Sequence, residues 1–187
     1  MAAISFDEAV GYVARGQACL FLGAGFSKEF RDVEQRPLPL SRELSTEMVK
    51  EAGGRDTSDL RVAATQLLRA RGVDEYVAFL RNRFSVRESY PAATALASER
   101  WIRVYTTNFD DGFERAAITA GKKYLTATVS DLPAQYIASP RVCVHIHGFV
   151  DRLSAATVQQ DVVLTLPGYA SGTFALSPWK TFSSTTS

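Results

Sequence analysis

Along the chain, short blocks in which nearly every residue is apolar alternate with longer stretches in which apolar residues return every three or four positions. The short blocks are Ala18-Cys19-Leu20-Phe21-Leu22, Trp101-Ile102-Arg103-Val104-Tyr105, the β-branched and aromatic segment Tyr124 to Val129, Arg141 to Gly148, and Asp161-Val162-Val163-Leu164-Thr165-Leu166. Apolar blocks of this length, bounded by glycine or polar turns, read as buried strands. The longer stretches read as helices. Ser5-Phe6-Asp7-Glu8 is a capping-box pattern, followed by Ala9, Val10 and Val13 at helical spacing until Gly16. From Ser41 to Ser98 the pattern is helical almost throughout: Leu44, Met48 and Val49, then Val62, Leu67 and Leu68, then Tyr76, Val77, Phe79 and Leu80. Breaks at Gly53-Gly54, Gly72 and Ser89-Tyr90-Pro91 divide it into about four helices. A further helix runs from about Gly112 to Ala120. Short apolar strands separated by helices predict an α/β fold, a parallel sheet with helices on both faces and a helical insertion, about residues 41–98, after the first strand.

Composition narrows the class. At 187 residues with 46% hydrophobic and 22% charged, the chain suits one domain, 1–187, of an ordinary globular protein. Twenty-one basic and 20 acidic residues leave a net charge of +1, so nothing draws the whole molecule to nucleic acid or an anionic membrane. The arginines between Arg61 and Arg87 are interspersed with Asp59, Asp74, Glu75 and Glu88, as on a solvated helix face, and nucleic acid is expected only through a partner. Cys19 and Cys143 lie inside apolar runs, not in a CxxC pair. The N-terminus lacks a basic segment followed by a long apolar one, and no run reaches the roughly 18 apolar residues of a membrane span. A reducing, cytoplasmic location without membrane attachment is expected.

Chemistry concentrates where three apolar blocks end. The first breaks into Gly23-Ala24-Gly25-Phe26-Ser27, the second into Thr106-Thr107-Asn108-Phe109-Asp110-Asp111, and the fourth into His147-Gly148. In a parallel sheet such ends share one edge, where open α/β folds bind ligands. The two glycines permit unusual backbone angles and leave room for a phosphate to approach the amides, with the first turn of a helix after Ser27 adding donors. A GxG alone equally suits a tight turn that binds nothing. Lys28 stands where a GxGxxG fingerprint needs its third glycine, which disfavours an ordinary Rossmann dehydrogenase. The polar stretch Lys28 to Leu40, with Pro37 and Pro39, suits a surface loop or a mobile lid. Taken singly, Asn108 and Asp110 suit an Asx turn capping the next helix, and His147 a satisfied buried histidine. His145 and His147, two apart in a strand, would point the same way, and with Asp110 or Asp151 they form a weak metal option. A catalytic zinc would need that third ligand.

Together and in order, Gly23-Ala24-Gly25-Phe26-Ser27, Thr106-Thr107-Asn108-Phe109-Asp110 and His147-Gly148 resemble the GAGxS, T[TQ]N[FYI]D and HG motifs of the sirtuin family. Val162-Val163-Leu164-Thr165 with Tyr169 resembles the segment after HG in bacterial sirtuin-like domains, so the likeness spans roughly residues 17–170. The resemblance implies a Rossmann-like domain that takes NAD as substrate and breaks its nicotinamide–ribose bond. It implies Asn108 and His147 as catalytic residues, Asn108 holding a ribose hydroxyl or the attacking water and His147 accepting a proton. It implies NAD contacts from Gly23, Ala24, Gly25, Phe26, Ser27, Thr107, Asp110 and Gly148, with Asp110 on the nicotinamide carboxamide, Ser27 and the loop amides on the diphosphate, and Asp111 pointing elsewhere.

Protein-deacylating sirtuins carry a four-cysteine zinc module, and with two cysteines no zinc is expected here. The chain is more similar to bacterial sirtuin-like NAD hydrolases of anti-phage defence, which deplete NAD when triggered. Such domains act as homo-oligomers or with a sensor or partner protein. The alternatives are a non-catalytic module that binds NAD or ADP-ribose and regulates a partner, and an NAD-dependent protein deacylase. One departure stands out. After Tyr169 the family has a further strand with a GxS-type turn at the adenosine half of NAD, whereas here Pro178-Trp179-Lys180 and a Ser/Thr tail follow. A chain that is part of a longer polypeptide, a pocket completed by a partner, and a weak site are the three readings of that difference.

Overall fold

The computed structural model describes residues 4–156 together with Val158 and Trp179. Four parallel strands form its sheet: β1 (Ala18–Leu22), β4 (Trp101–Thr106), β5 (Leu125–Thr128) and β6 (Val142–His145), in the spatial order β1-β4-β6-β5. The expected α/β architecture, a parallel sheet flanked by helices, is therefore present. Four of the five apolar blocks are these strands, and the fifth, residues 161–166, lies outside the described residues. Alternation along the strands separates two faces. Val104 and Cys143 belong to a core with Ala93 and Ala97 of α6 (Pro91–Ser98) and Phe113, Ala116 and Ala117 of α7 (Gly112–Thr119). Tyr105, Val142 and Val144 belong to another, with Ala127, Ile146 and Trp179.

The insertion between β1 and β4 is helical, as its periodicity predicts: α3 (Ser41–Ala52), α4 (Leu60–Arg71), α5 (Val73–Phe84) and α6. Its breaks fall at the expected glycines, with Gly53 at φ +59 and Gly72 at φ +81. Leu44, Met48, Leu67, Tyr76 and Leu80 form a core of its own, into which Phe149, Val150 and Leu153 insert from beyond β6. The helical layer is thereby fastened to the carboxyl edge of the sheet. Helix α1 (Phe6–Ala14) has the capping box read from Ser5 and Glu8, the Ser5 amide reaching Glu8 Oε2 at 2.7 Å and the Glu8 amide reaching Ser5 Oγ at 3.2 Å. None of its residues is fully buried: Phe6 is 82% exposed, and only Val13 packs, partly buried, against the sheet core.

The Lys28–Leu40 segment departs from a loosely held lid. It contains β2 (Arg31–Asp32), which pairs antiparallel with β3 (Val86–Glu88), and it buries Phe30 and Leu38. Its anchor is ionic. Asp32 is fully buried; its Oδ1 accepts from the amides of Glu34 and Arg36, and its Oδ2 from the Arg36 and Arg83 guanidiniums, each at 2.9 Å. Burial alone pushes this carboxyl up, but the hydrogen bonds from Arg36 and Glu34 outweigh it and hold the group below its usual 3.8. Arg83 also forks onto Glu47 and donates to the Pro37 carbonyl, so one guanidinium ties the loop to α3 and α5. Among the described residues no helix is long and apolar enough to cross a membrane.

Candidate functional site

The glycine turn, the end of β4 and the end of β6 meet because the strands carrying them are neighbours running the same way. Thr107 N–H donates to the Leu22 carbonyl at 3.1 Å, and Ile146 N–H to the Thr106 carbonyl at 2.8 Å, so the ladder continues past each strand end. Above this edge lies a cavity of about 240 Å³. One wall is polar: Ser27, Thr107, Asn108, Asp110 and His147. The other is apolar, built from Leu38 and Pro39 of the anchored loop, Leu44, Leu60 and Phe84 of the helical layer, and Phe109.

The polar wall is internally bonded. Asn108 Nδ2 donates to the Gly23 carbonyl at 2.8 Å and to Ser27 Oγ at 2.7 Å, and the Ser27 hydroxyl donates to Asp110 Oδ2 at 2.7 Å. Asp110 Oδ1 accepts from Gly112 N–H at 3.0 Å, the Asx geometry read from the sequence. Both amide hydrogens of Asn108 are thus used within the protein, and its oxygen is the atom with capacity to spare for a ligand. Burial raises the Asp110 carboxyl to about 6, against the opposing pull of Ser27, the Gly112 amide and His145. His147 is half-buried, and desolvation lowers it below 6.5, partly offset by the Thr107 backbone. At neutral pH it is therefore an uncharged imidazole able to accept a proton.

Several expectations change. The helix begins inside the glycine motif rather than after it: α2 (Ala24–Ser27) is a single turn capped by Gly23 and ending at Lys28. Gly23 has φ −132, which any residue can adopt, and Gly25 is helical, so neither glycine is explained by an unusual backbone angle. A Cβ on Gly25 would meet nothing within 4 Å, so the bareness of this turn serves no contact inside the described protein. Ser27 is 6% exposed and its proton goes to Asp110, so its hydroxyl braces the wall rather than donating to an anion. Phe26 turns its ring toward Phe30, Tyr90 and Phe113, and its backbone is committed as well, the N–H to the Gly23 carbonyl at 2.9 Å and the carbonyl to the Tyr90 hydroxyl at 2.7 Å. Gly148, at φ +93 and buried, shapes the turn after His147. Asp111 faces away, as expected, accepting from Val86 N–H at 2.6 Å and pairing with Arg115 at 2.8 Å.

His145 and His147 do not point the same way into one site. His145 ends β6 and is fully buried against α7, whereas His147 lies beyond the strand, where alternation no longer governs it, and lines the cavity. The donors that gather near His145 are Glu114 and Cys143, within 4.8 Å of one another, in place of His147 with Asp110 or Asp151. His145 Nε2 and Glu114 Oε1 are joined directly, 3.0 Å apart, by a hydrogen bond. Sequence reasoning missed Glu114 and Lys28, the latter exposed on the cavity rim directly after the glycine motif. An apolar Leu38 between two prolines in a polar loop was the available signal for the apolar wall.

No protein-family model matches the chain, and no curated protein matches it.

The shifted His147 and Asp110 give a first prediction. Any reaction using His147 as a base needs it neutral, and the bracing of Ser27 needs Asp110 ionised. The rate of such a reaction should hold steady above pH 7 and fall toward acid with a half-point below 6.5, steepening near 6 as Asp110 protonates. A pH profile of kcat/KM checks this, and Asp110→Asn should remove the steeper component.

Proposed function

We propose that this protein hydrolyses NAD+ at the nicotinamide–ribose bond, releasing nicotinamide and ADP-ribose. The observation that carries the reading is the single cavity that gathers Ser27, Thr107, Asn108, Asp110 and His147 from motifs up to 120 residues apart, facing an apolar wall. Their order and residue types resemble the sirtuin motifs, and the chemistry available matches the bond to be broken. Nicotinamide departs from a cationic nitrogen, taking the bonding pair and becoming neutral without an acid. As the C1′–N bond opens, a water oxygen bonds to C1′, and the proton it sheds passes to His147. The Asn108 amide oxygen is the acceptor that orients this water or a ribose hydroxyl. A cavity of about 240 Å³ is smaller than the roughly 300–1,000 Å³ of drug-sized sites. In this reading it takes the nicotinamide riboside end, and the diphosphate lies over the bare turn, near the Lys28 ammonium. By the same resemblance, the role is an effector that depletes NAD+ once triggered, through self-assembly or a partner.

A second reading, a module that binds NAD+ or ADP-ribose without cleaving it, is favoured by the commitment of both Asn108 amide hydrogens to Gly23 and Ser27. Chromatographic assay of nicotinamide released from NAD+ separates the two: release supports hydrolysis, and tight binding without turnover supports the module.

Gly25 gives a further prediction. Replacing it with alanine in a helical turn, with open space around the new methyl group, should stabilise the fold by about 0.4–1 kcal/mol. The same methyl group stands where the diphosphate approaches and should weaken NAD+ binding by about tenfold or more, or 1.4 kcal/mol. Thermal unfolding with and without NAD+ measures both: a higher melting temperature alone and a smaller shift on adding ligand. An unchanged ligand shift would place the diphosphate elsewhere.

A further inference from the structure

Beneath the cavity, on the side away from it, His145 is fully buried with its two ring nitrogens facing two acceptors. Nδ1 is 2.8 Å from the Asn108 carbonyl and Nε2 is 3.0 Å from Glu114 Oε1. A carbonyl can only accept, and an ionised carboxylate can only accept, so both contacts are satisfied together when each ring nitrogen carries a proton. Glu114 Oε1 also accepts from Thr126 Oγ1 at 2.9 Å, which fixes the carboxylate against β5. The side chain of Asn108 is oriented by the glycine turn, whereas its backbone is held by Thr106 Oγ1 on its amide and by His145 on its carbonyl.

We propose that Glu114 and His145 form a positioning dyad that sets the Asn108 backbone, and through Asn108 the glycine turn and Ser27, in the geometry the reaction needs. Neither residue lines the cavity, so both are positioning residues. The proposal rests on the hydrolytic reading for its consequence in rate, but its protonation pattern stands apart from that reading. The groups facing His145 are consistent with an imidazolium: Glu114 from α7 and Asp110 from the motif loop favour it against the cost of burial, while the Cys143 thiol, pushed well up by burial, stays neutral. Through Asn108 the chain of bonds runs from α7 to the turn that would receive the diphosphate, a path of successive hydrogen bonds at 3.0, 2.8 and 2.8 Å.

The test compares Glu114→Ala with Glu114→Gln, which can donate to Nε2 and leave Nδ1–H on the Asn108 carbonyl. In Glu114→Ala kcat for nicotinamide release should fall about 10²-fold, as a misplacement near 1 Å does, with KM little changed, while Glu114→Gln stays close to wild type. A folded Glu114→Ala protein with wild-type kcat, or a loss that Glu114→Gln shares in full, overturns the proposal. Nitrogen-15 NMR of His145 in the wild-type protein tests it independently of turnover and of whether the alanine variant folds. Protons on both ring nitrogens at pH 7, with one lost from Nε2 in Glu114→Gln, are expected; a neutral ring in the wild type overturns it. Wild-type protein that releases no nicotinamide in any assembly state would remove the proposed reaction, and the dyad would then be judged on the NMR result.

Discussion

Replacing His147 with alanine should lower the rate of nicotinamide release by about 10²–10⁴-fold, the range that a positioned general base contributes. The protein should remain folded, because His147 is half-buried at the cavity and outside the three hydrophobic cores. Asn108→Ala should cost a comparable factor and also loosen the wall, since it removes the bonds to Gly23 and Ser27. The two losses should not add: once the water is unoriented or the base is missing, removing the other group takes away little more. Initial rates of the single and double variants, with circular dichroism as a folding control, measure this. Equal release from the double variant and the wild type would remove both residues from the catalytic assignment.

Arg83→Leu should produce the largest loss of stability of any single change considered. The guanidinium is 5% exposed and bonds Asp32, Glu47 and the Pro37 carbonyl, so leucine leaves a fully buried carboxylate short of a cationic partner. Removing one member of a buried pair typically costs about 3–5 kcal/mol, or roughly 6–20 °C in melting temperature at about 2–4 °C per kcal/mol for a chain of this size. Arg36 and two backbone amides still serve Asp32, which argues for the lower part of that range. Arg83→Lys keeps the charge without the fork and should fall between leucine and wild type. The loss should reach the cavity, because Leu38 and Pro39 in its wall adjoin the Pro37 carbonyl that Arg83 holds. Thermal unfolding gives the first quantity and NAD+ affinity the second; a leucine variant as stable as wild type would show that the loop is held by its apolar residues alone.

The strands were legible because each is a short, mostly apolar or β-branched block; burial was legible for β4 and β6, whereas β1, at the edge of the sheet, leaves Cys19 and Phe21 exposed. The helices of the insertion were legible because their glycine stops coincide with real left-handed or near-mirror backbone at Gly53 and Gly72. The β2–β3 pair was not, being two and three residues long with charged side chains and no periodicity to read. The meeting of the three polar motifs follows from parallel topology, and it could be argued before any coordinates. Where each side chain points could not. Ser27 was read as facing a ligand and instead braces Asp110, because its partners are 81 and 83 residues away. The histidines were read as a matched pair because strand alternation was carried past the last residue of β6, where the chain has already turned. Glu114 gave no local sign of its role: beside Arg115 near the start of a helix it looks like a solvated residue, and its meaning comes from His145, 31 positions later.

The most direct measurement is a crystal structure of the His147→Ala protein with NAD+ bound. The nicotinamide and its ribose should lie in the cavity against Phe84 and Leu44, with C1′ beside the Asn108 amide oxygen and the diphosphate over Gly25. A dinucleotide with its adenine in that cavity, or bound away from the strand edge altogether, would contradict the assignment of this site to cleavage of the nicotinamide–ribose bond.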